Sequence, residues 1–381
     1  MEYRRFGRLN WSVSALGFGC MRLPTVKRGS KERIDEPEAI RMIRHAIDNG
    51  VNYIDTAYPY HEGKSEVVLG KALRDGYRDK VRVATKSPVW DIKRGSDFDK
   101  YLDEQLSRLR MDSVDFYLFH GLGKDRWRNV VLKHGLLKRA EAALDDGRIR
   151  HIGFSFHDDF KTFKEIVDGY AHWDFCQIQY NYMDIKSQAG TRGLKYAASK
   201  GLGVVIMEPL LGGRLANPPK DIKSLLRAGS TPHSASDLAL QWLWTQPEVS
   251  VVLSGMSTMA QVKGNLRSAE KSGIGSMGKR DQVLVDRIRV KYLEKVPIGC
   301  TRCMYCMPCP NGVDIPGNFE LYNQGFIHED MKTSRTTYAR FFDEKERAGS
   351  CKNCKECEEK CPQKLPIPEL MAKVHAELSK K

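Results

Sequence analysis

Long apolar runs are missing from this chain. Its 381 residues contain no uninterrupted apolar stretch near 18 residues, and no apolar segment follows Arg4 and Arg5 at the amino terminus. Neither a membrane span nor a signal peptide is expected, and the expected compartment is the cytoplasm. No basic stretch interleaves with aromatics as a nucleic-acid groove requires, although the formal charge is +14. Residues 297–381 carry 13 Lys and Arg against 12 Asp and Glu, so 13 of the 14 excess positive charges lie upstream. A basic upstream region suits a phosphate-bearing cofactor, an acidic electron carrier or a merely solvated surface. Nucleic acid and membrane are not among the expected partners. Cysteine is scarce in the first 299 residues, where Cys20 and Cys176 are the two examples, and both read as small core hydrophobes.

The other eight cysteines crowd the last quarter in two runs, Cys300, Cys303, Cys306, Cys309 and Cys351, Cys354, Cys357, Cys361, each ending in Cys-Pro. Thiolates three residues apart can converge on one cubane, and a fourth cysteine followed by proline commonly serves the neighbouring cluster. Two [4Fe-4S] clusters are therefore expected. Cys300, Cys303, Cys306 and Cys361 would hold one, and Cys309, Cys351, Cys354 and Cys357 the other. Structural zinc would be content with four cysteines in two pairs, while disulfides suit small secreted domains. One departure bears on the exchange: two residues separate Cys306 from Cys309, where the common bacterial pattern has three.

Eight apolar segments precede the cysteine runs: Ala15 to Met21, Asn52 to Ala57, Val81 to Lys86, Val114 to His120, Ile149 to Ser155, Phe175 to Asn181, Gly203 to Pro209 and Ser250 to Met256. Their near-continuous hydrophobicity suits parallel strands buried on both faces, and stretches such as Glu38 to Asn49 and Phe98 to Arg110 show helical spacing between them. Eight alternations of strand and helix close naturally into a (β/α)8 TIM barrel. The alternative is a doubly wound sheet, but no Gly-x-Gly-x-x-Gly turn follows the first strand. The α/β barrel is expected over residues 1–295, ending after a helix around Gln282 to Lys295. Pro297 and Gly299 then lead into a second domain, 296–381. The 41 residues between Cys309 and Cys351 pattern as helix around Pro316 to Phe326 and Ser334 to Arg347. With a last helix over Glu369 to Leu378, this predicts a smaller, mainly α-helical ferredoxin-like domain.

A barrel places its chemistry at the carboxyl ends of its strands. Asp55 closes the second strand, with Tyr60 in the loop beyond it; Lys86 closes the third and His120 the fourth. An ammonium near a tyrosine stabilises the phenolate and lowers its pKa, and a carboxylate holds the lysine in place. A histidine beside them can orient a substrate oxygen. Singly, each residue has a plainer reading as a cap, a surface charge or a satisfied imidazole; jointly they suggest a proton-transfer site.

The stretch NYIDTAYPYHEGKSEVVLGKAL, the ATK at Ala84 to Lys86, the YLFHGL at Tyr117 to Leu122 and the GRIRHIGFS at Gly147 to Ser155 resemble the aldo/keto reductase family. The opening EYRRFGRLNWSVSALGFGCMRLP resembles that family's amino-terminal hairpin and first strand, and the whole chain is similar to the subgroup fused to a ferredoxin-like module. The resemblance implies a tetrad of Asp55, Tyr60, Lys86 and His120, with Tyr60 as proton donor and NAD(P)H bound across the barrel mouth. It assigns Ser155 and Gln177 to the carboxamide, and the loop Pro209 to Leu215, with Leu211, Gly212 and Gly213, to the pyrophosphate. Ser254, Gly255, Ser257, Thr258, Gln261 and Asn265 fall to the adenosine region. Some positions depart from the family pattern: Phe156 stands where many members have asparagine, and Met207 where an aromatic often stacks on the nicotinamide. Gly255 and Gln261 stand where users of the phosphorylated cofactor often carry Lys and Arg, leaving Lys263 and Arg267 as the nearest cations.

These readings predict an oxidoreductase that interconverts a small carbonyl compound and its alcohol. A flavoprotein or ferredoxin is the expected electron partner if the clusters form a relay. Two rivals stay open: clusters that only stabilise or sense redox state, and an electron-transfer or regulatory subunit whose barrel binds cofactor without useful turnover.

Overall fold

The computed structural model describes residues 1–28, 31–227, 234–300, 304, 306–361 and 363–380. A short antiparallel hairpin comes first, β1 (Tyr3–Arg5) pairing with β2 (Ser12–Ser14) so that Tyr3 faces Ser14. Next come β3 (Leu16–Gly19) and a second hairpin of β4 (Thr25–Arg28) and β5 (Lys31–Ile34). Strands then alternate with helices through β6 (Tyr53–Asp55), β7 (Arg82–Ser87), β8 (Val114–Leu122), β9 (Ile149–Phe156), β10 (Phe175–Gln179), β11 (Gly203–Met207) and β12 (Val251–Gly255). β3 and β6 to β12 pair in parallel and in chain order, and β12 returns to β3 to close the barrel. Each of the eight apolar segments read from the sequence overlaps one of these strands, with β7, β8 and β9 running one or two residues further than expected. The helices follow the same logic. Glu36–Asp48 buries Ala39, Met42, Ile43, Ala46 and Ile47 along one face and starts at Asp35, whose carboxylate accepts from Glu38 N at 3.3 Å.

The barrel is filled at the end where its strands begin. Phe6, from the turn of the first hairpin, meets Phe116 with 5.0 Å between ring centroids, and Tyr53 and Phe175 surround them. This aromatic plug needs space in the strands. A Cβ on Gly203 would come within 2.5 Å of the Phe6 ring, and one on Gly153 within 2.5 Å of the Phe175 ring. With that end closed by packed rings, polar side chains are left to the strand carboxyl ends.

Two compact units divide the chain, Met1–Leu215 with Ser236–Lys279, and Ala216–Ala235 with Arg280–Lys381. This grouping differs from the expected boundary near residue 295 by the helix Lys279–Leu293 and by the inserted segment Ala216–Ala235. Lys295 shows why: its ammonium binds Asp221 at 3.0 Å and Glu329 at 2.7 Å within the second unit. That unit is helical, with Ile315–Ile327, Met331–Phe341 and Ile367–Leu378 burying Phe319, Tyr322, Tyr338, Met371 and Val374 against one another. The second helix starts earlier than its spacing suggested because Asp330 caps it through Thr333 N, and it stops at Phe341, short of Arg347.

Two buried asparagines tie down the approaches to the cysteines. Asn323 receives Ile298 N at 3.1 Å and donates to Ile298 O at 2.8 Å, just before Cys300. Asn318 donates to Glu346 O at 2.7 Å and receives Ala348 N at 2.8 Å, just before Cys351. Each buried backbone group left without its partner costs about 1–3 kcal/mol. Asn318→Ala should therefore loosen the second unit selectively. Limited proteolysis is expected to cut residues 343–350 faster in the variant while the barrel survives, and identical cleavage of both proteins would contradict this role.

Candidate active site and cluster sites

Lys86 lies at the centre of the barrel mouth. Its ammonium donates to Asp55 Oδ1 at 2.6 Å and to Thr56 O at 2.7 Å, and it reaches Tyr60 Oη at 3.5 Å. Lys86 is 1 % exposed and Asp55 2 % exposed, so the pair is screened from water and each charge depends on the other. His120, from β8, turns its ring edge-on to Tyr60, with centroids 6.1 Å apart at 81°. Asp55 Oδ2 and His120 Nδ1 are buried with no hydrogen-bond partner among the described residues. The structure thus brings Asp55, Tyr60, Lys86 and His120 into one pocket.

Burial and charge compete across these four groups. Burial raises Asp55 above the usual carboxylate range, with Lys86 pulling it back part of the way. For Lys86, burial acts downward, but Asp55 and Tyr60 together outweigh it and the ammonium is favoured. The sequence argument expected a lowered tyrosine pKa. Lys86 does act in that direction, yet burial wins and the Tyr60 phenol sits above its ordinary value. His120 is held far below the ordinary imidazole pKa, by burial first and then by the Lys86 charge. At neutral pH the site contains a protonated phenol, an ammonium and a neutral imidazole.

The sequence reading missed the scaffold behind this pocket. Gln105 donates to Lys86 O at 3.1 Å and to Glu66 Oε1 at 2.7 Å, and Thr85 donates to the same oxygen at 2.6 Å. Arg108 pairs with Glu66 at 3.2 Å. Trp90, in the turn after β7, lies 4.9 Å from the His120 ring and carries the Arg126 guanidinium 5.4 Å above its own. Glu66 stands inside a family-like stretch and could have been suspected; no pattern marked Trp90 or Arg126.

The residues expected to hold a dinucleotide cofactor lie on the neighbouring strands. Ser155 and Gln177 are register partners on β9 and β10. Ser155 Oγ accepts from Gly121 N at 2.7 Å, whereas the buried Gln177 Oε1 has no partner among the described residues. An orphaned amide oxygen in a strand-end pocket suits a carboxamide donor. Phe156 packs on Phe163 at 5.0 Å and offers no polar atom. Leu211, Gly212 and Gly213 all have positive φ (49°, 65° and 95°), exposing backbone in the way anion nests do. Gly212 N already donates to Glu208 Oε2 at 2.5 Å.

After β12, several expected contacts have structural duties. Asn265 donates to Ser254 Oγ at 2.9 Å. Ser257 donates to Arg22 O at 2.8 Å. Thr258 and Gln261 form a capping box on the helix Met259–Glu270. Gly255 lies beneath Arg22, whose side-chain carbons would stand 3.3 Å from a Cβ added there.

In the second unit, Cys300, Cys306 and Cys361 line a pocket with Ile315, Phe319 and Ile367. Cys306, Cys309, Cys351, Cys354 and Cys357 line another. Cys303 lies outside the described residues. Cys361 thus shares a pocket with Cys300 and Cys306, while Cys309 shares one with Cys306 and the second run. Burial, joined by the nearby thiols of Cys351, Cys354 and Cys309, pushes Cys357 up to about 11. Among the described residues no three His, Cys, Asp or Glu side chains converge on a single metal ion. Asn311 Nδ2 lies 3.8 Å from Cys354 Sγ and can donate to it.

No helix among the described residues is long and apolar enough to cross a membrane. A model of the aldo/keto reductase family matches residues 15–273, and a model of a 4Fe-4S dicluster domain matches residues 299–365. The chain is 29% identical over 306 residues to the L-galactose dehydrogenase of Arabidopsis thaliana, an alignment covering 74% of this chain and 92% of that protein. It is 26% identical over 317 residues to the uncharacterized oxidoreductase YrpG of Bacillus subtilis, covering 71% of this chain and 92% of the relative. Among solved structures, the holo form of the aldo-keto reductase AKR11C1 from Bacillus halodurans superposes with a TM-score of 0.62 at 24% identity, covering 76% of this chain and 96% of its own. The aldo-keto reductase from Klebsiella pneumoniae in complex with NADPH gives 0.61 at 24% identity, covering 76% and 95%.

The His120 environment carries a pH consequence. A folded-state pKa below the unfolded value means that unfolding takes up a proton, so this contribution to stability falls as pH drops below the unfolded imidazole's pKa of about 6.5. His120→Gln should flatten the loss of thermal stability between about pH 7 and pH 5. An unchanged acid slope in the variant would show that the imidazole is not held neutral by this pocket.

Proposed function

Because the chain belongs to the aldo/keto reductase family, we propose that its barrel interconverts a small carbonyl compound and the corresponding alcohol, with Tyr60 delivering the proton to the carbonyl oxygen. The observation that carries this reading is the Lys86 ammonium lying between Asp55 at 2.6 Å and Tyr60 at 3.5 Å, with a neutral His120 beside the phenol. In reduction, the carbonyl oxygen gains negative charge. The neutral His120 ring would donate a hydrogen bond to that oxygen and fix its position, and Tyr60 would release its proton as charge develops. Lys86 offsets the negative charge left on the phenolate, and Asp55 keeps Lys86 in place.

Gln177 and Ser155 would hold the carboxamide of NADH or NADPH, and the Leu211–Gly213 loop its diphosphate; the bound nicotinamide would supply the hydride. The second unit would bind two [4Fe-4S] clusters, which supply a one-electron relay to a flavoprotein or ferredoxin partner. A reducing cytoplasm suits eight thiolates kept for iron.

A second reading has one observation in its favour. Glu208 already occupies the Gly212 amide, and Phe156 leaves the carboxamide region one polar contact short. Weak cofactor binding would favour an electron-transfer or redox-regulatory subunit over an enzyme. Steady turnover of small aldehydes with either reduced nicotinamide excludes it, and none with either cofactor supports it.

Two further outcomes are expected. Tyr60→Phe should lower carbonyl reduction by about 10²–10⁴-fold, the usual yield of general acid catalysis, with cofactor affinity nearly intact. Undiminished turnover in that variant would remove Tyr60 as the donor. Anaerobically purified protein should hold about eight irons per chain. Cys361→Ser and Cys309→Ser should each deplete a different cluster, resolved by their spin signals. Stoichiometric zinc in place of iron would overturn the cluster assignment.

A further inference from the structure

Arg126 is a cation without a counter-ion among the described residues. Among the described residues no carboxylate lies within ion-pair distance of it, yet it is half-buried and held in place. One terminal nitrogen donates to Gly121 O at 2.7 Å, and the guanidinium lies 5.4 Å above the Trp90 ring. Trp90 in turn lies 4.9 Å from His120, the residue after which the chain continues into Gly121. The fit is tight, because a Cβ on Gly121 would stand 2.8 Å from the Arg126 nitrogen. Other cations also act on this pocket. Burial lowers the His120 pKa most, and Lys86, His157 and Arg126 all push it further in the same direction. The Asp55 carboxylate is already engaged by Lys86. A guanidinium fixed by a carbonyl and an indole has little freedom left to lose on binding, and its remaining N–H edge matches the two oxygens of a carboxylate.

We propose that the substrate is an oxo acid: a small carbonyl compound whose carboxylate docks on Arg126 while its carbonyl faces Tyr60 and His120. This rests on the carbonyl reading given above. The loop that brings Arg126 here, following β8, contributes charge and an aromatic neighbour to the mouth rather than a group that reacts. The excess of positive charge would also draw an anionic substrate toward the pocket.

The test uses the full-length, anaerobically purified chain with each reduced nicotinamide. Straight-chain oxo acids of three to six carbons are compared with aldehydes of matching length. The acid is expected to exceed its matched aldehyde by roughly tenfold to a hundredfold in kcat/KM at the best length, as a charged hydrogen-bonded contact allows. Arg126→Met should bring that ratio close to one, and Arg126→Lys should restore part of it, keeping the charge but not the fork. Turnover of aldehydes with no preference for the acid at any length overturns the proposal. If neither series is turned over, the carbonyl reading fails and the anion site is judged by binding alone. Butanoate and butanamide are then titrated against tryptophan fluorescence, with Trp90→Phe as the blank. Tighter binding of butanoate that Arg126→Met abolishes supports the site, and equal binding of the two sinks it.

Discussion

A lysine ammonium shut away from water must find an anion and enough acceptors for its three protons. In this barrel Lys86 finds Asp55 and the Thr56 carbonyl, and both contacts come from the end of β6, one strand away. Breaking such a pair by removing one member typically costs about 3–5 kcal/mol, because the other charge stays buried alone. The surroundings are built to preserve it. Glu66, Gln105 and Arg108 hold Thr85 and the Lys86 carbonyl from behind, and the aromatic plug of Phe6, Tyr53, Phe116 and Phe175 closes the opposite end of the barrel. Tyr60 and His120 then acquire their protonation states from this fixed charge and from burial.

The second unit meets a different constraint. The proposed crossed ligation requires the two cysteine runs to be brought together and held. Asn318 and Asn323 do this through backbone groups just before each run, and Cys306 lines both cavities. The proposed chemistries of the two units also differ in electron count. A hydride carries two electrons and an iron-sulfur cluster takes one, which is why the proposal includes a partner able to divide the pair.

Much of this was legible in the sequence. Near-continuous hydrophobicity marked all eight barrel strands, because parallel strands are buried on both faces. Strand-end positions marked Asp55, Lys86 and His120, and the two cysteine runs marked the 4Fe-4S dicluster domain. Other features depend on three-dimensional contact and leave no local trace. Arg126 and Trp90 sit in separate loops, and only the closed barrel stacks them. The Tyr60 pKa followed burial rather than its charged neighbour, a balance that spacing cannot reveal. Thr258 and Gln261 carried a legible capping signal, Thr-x-x-Gln before a helix. The family likeness drew attention to cofactor contact instead, while the structure has them capping the helix.

The Lys86 charge, kept in place by Asp55, eases proton loss from a phenol that burial would otherwise hold too tightly. Tyrosinate absorbance, titrated against pH as the difference between otherwise identical proteins with Tyr60 and with Tyr60→Phe, isolates this one ionisation. It is best compared in the natural background and in Asp55→Asn, Lys86→Met, which removes the charges together and strands neither. Tyr60 should ionise above the ordinary tyrosine value in the natural protein and higher still once the pair is gone, since Lys86 lowers its pKa by more than Asp55 raises it. A Tyr60 ionisation that stays put, or falls, when the pair is removed would contradict it.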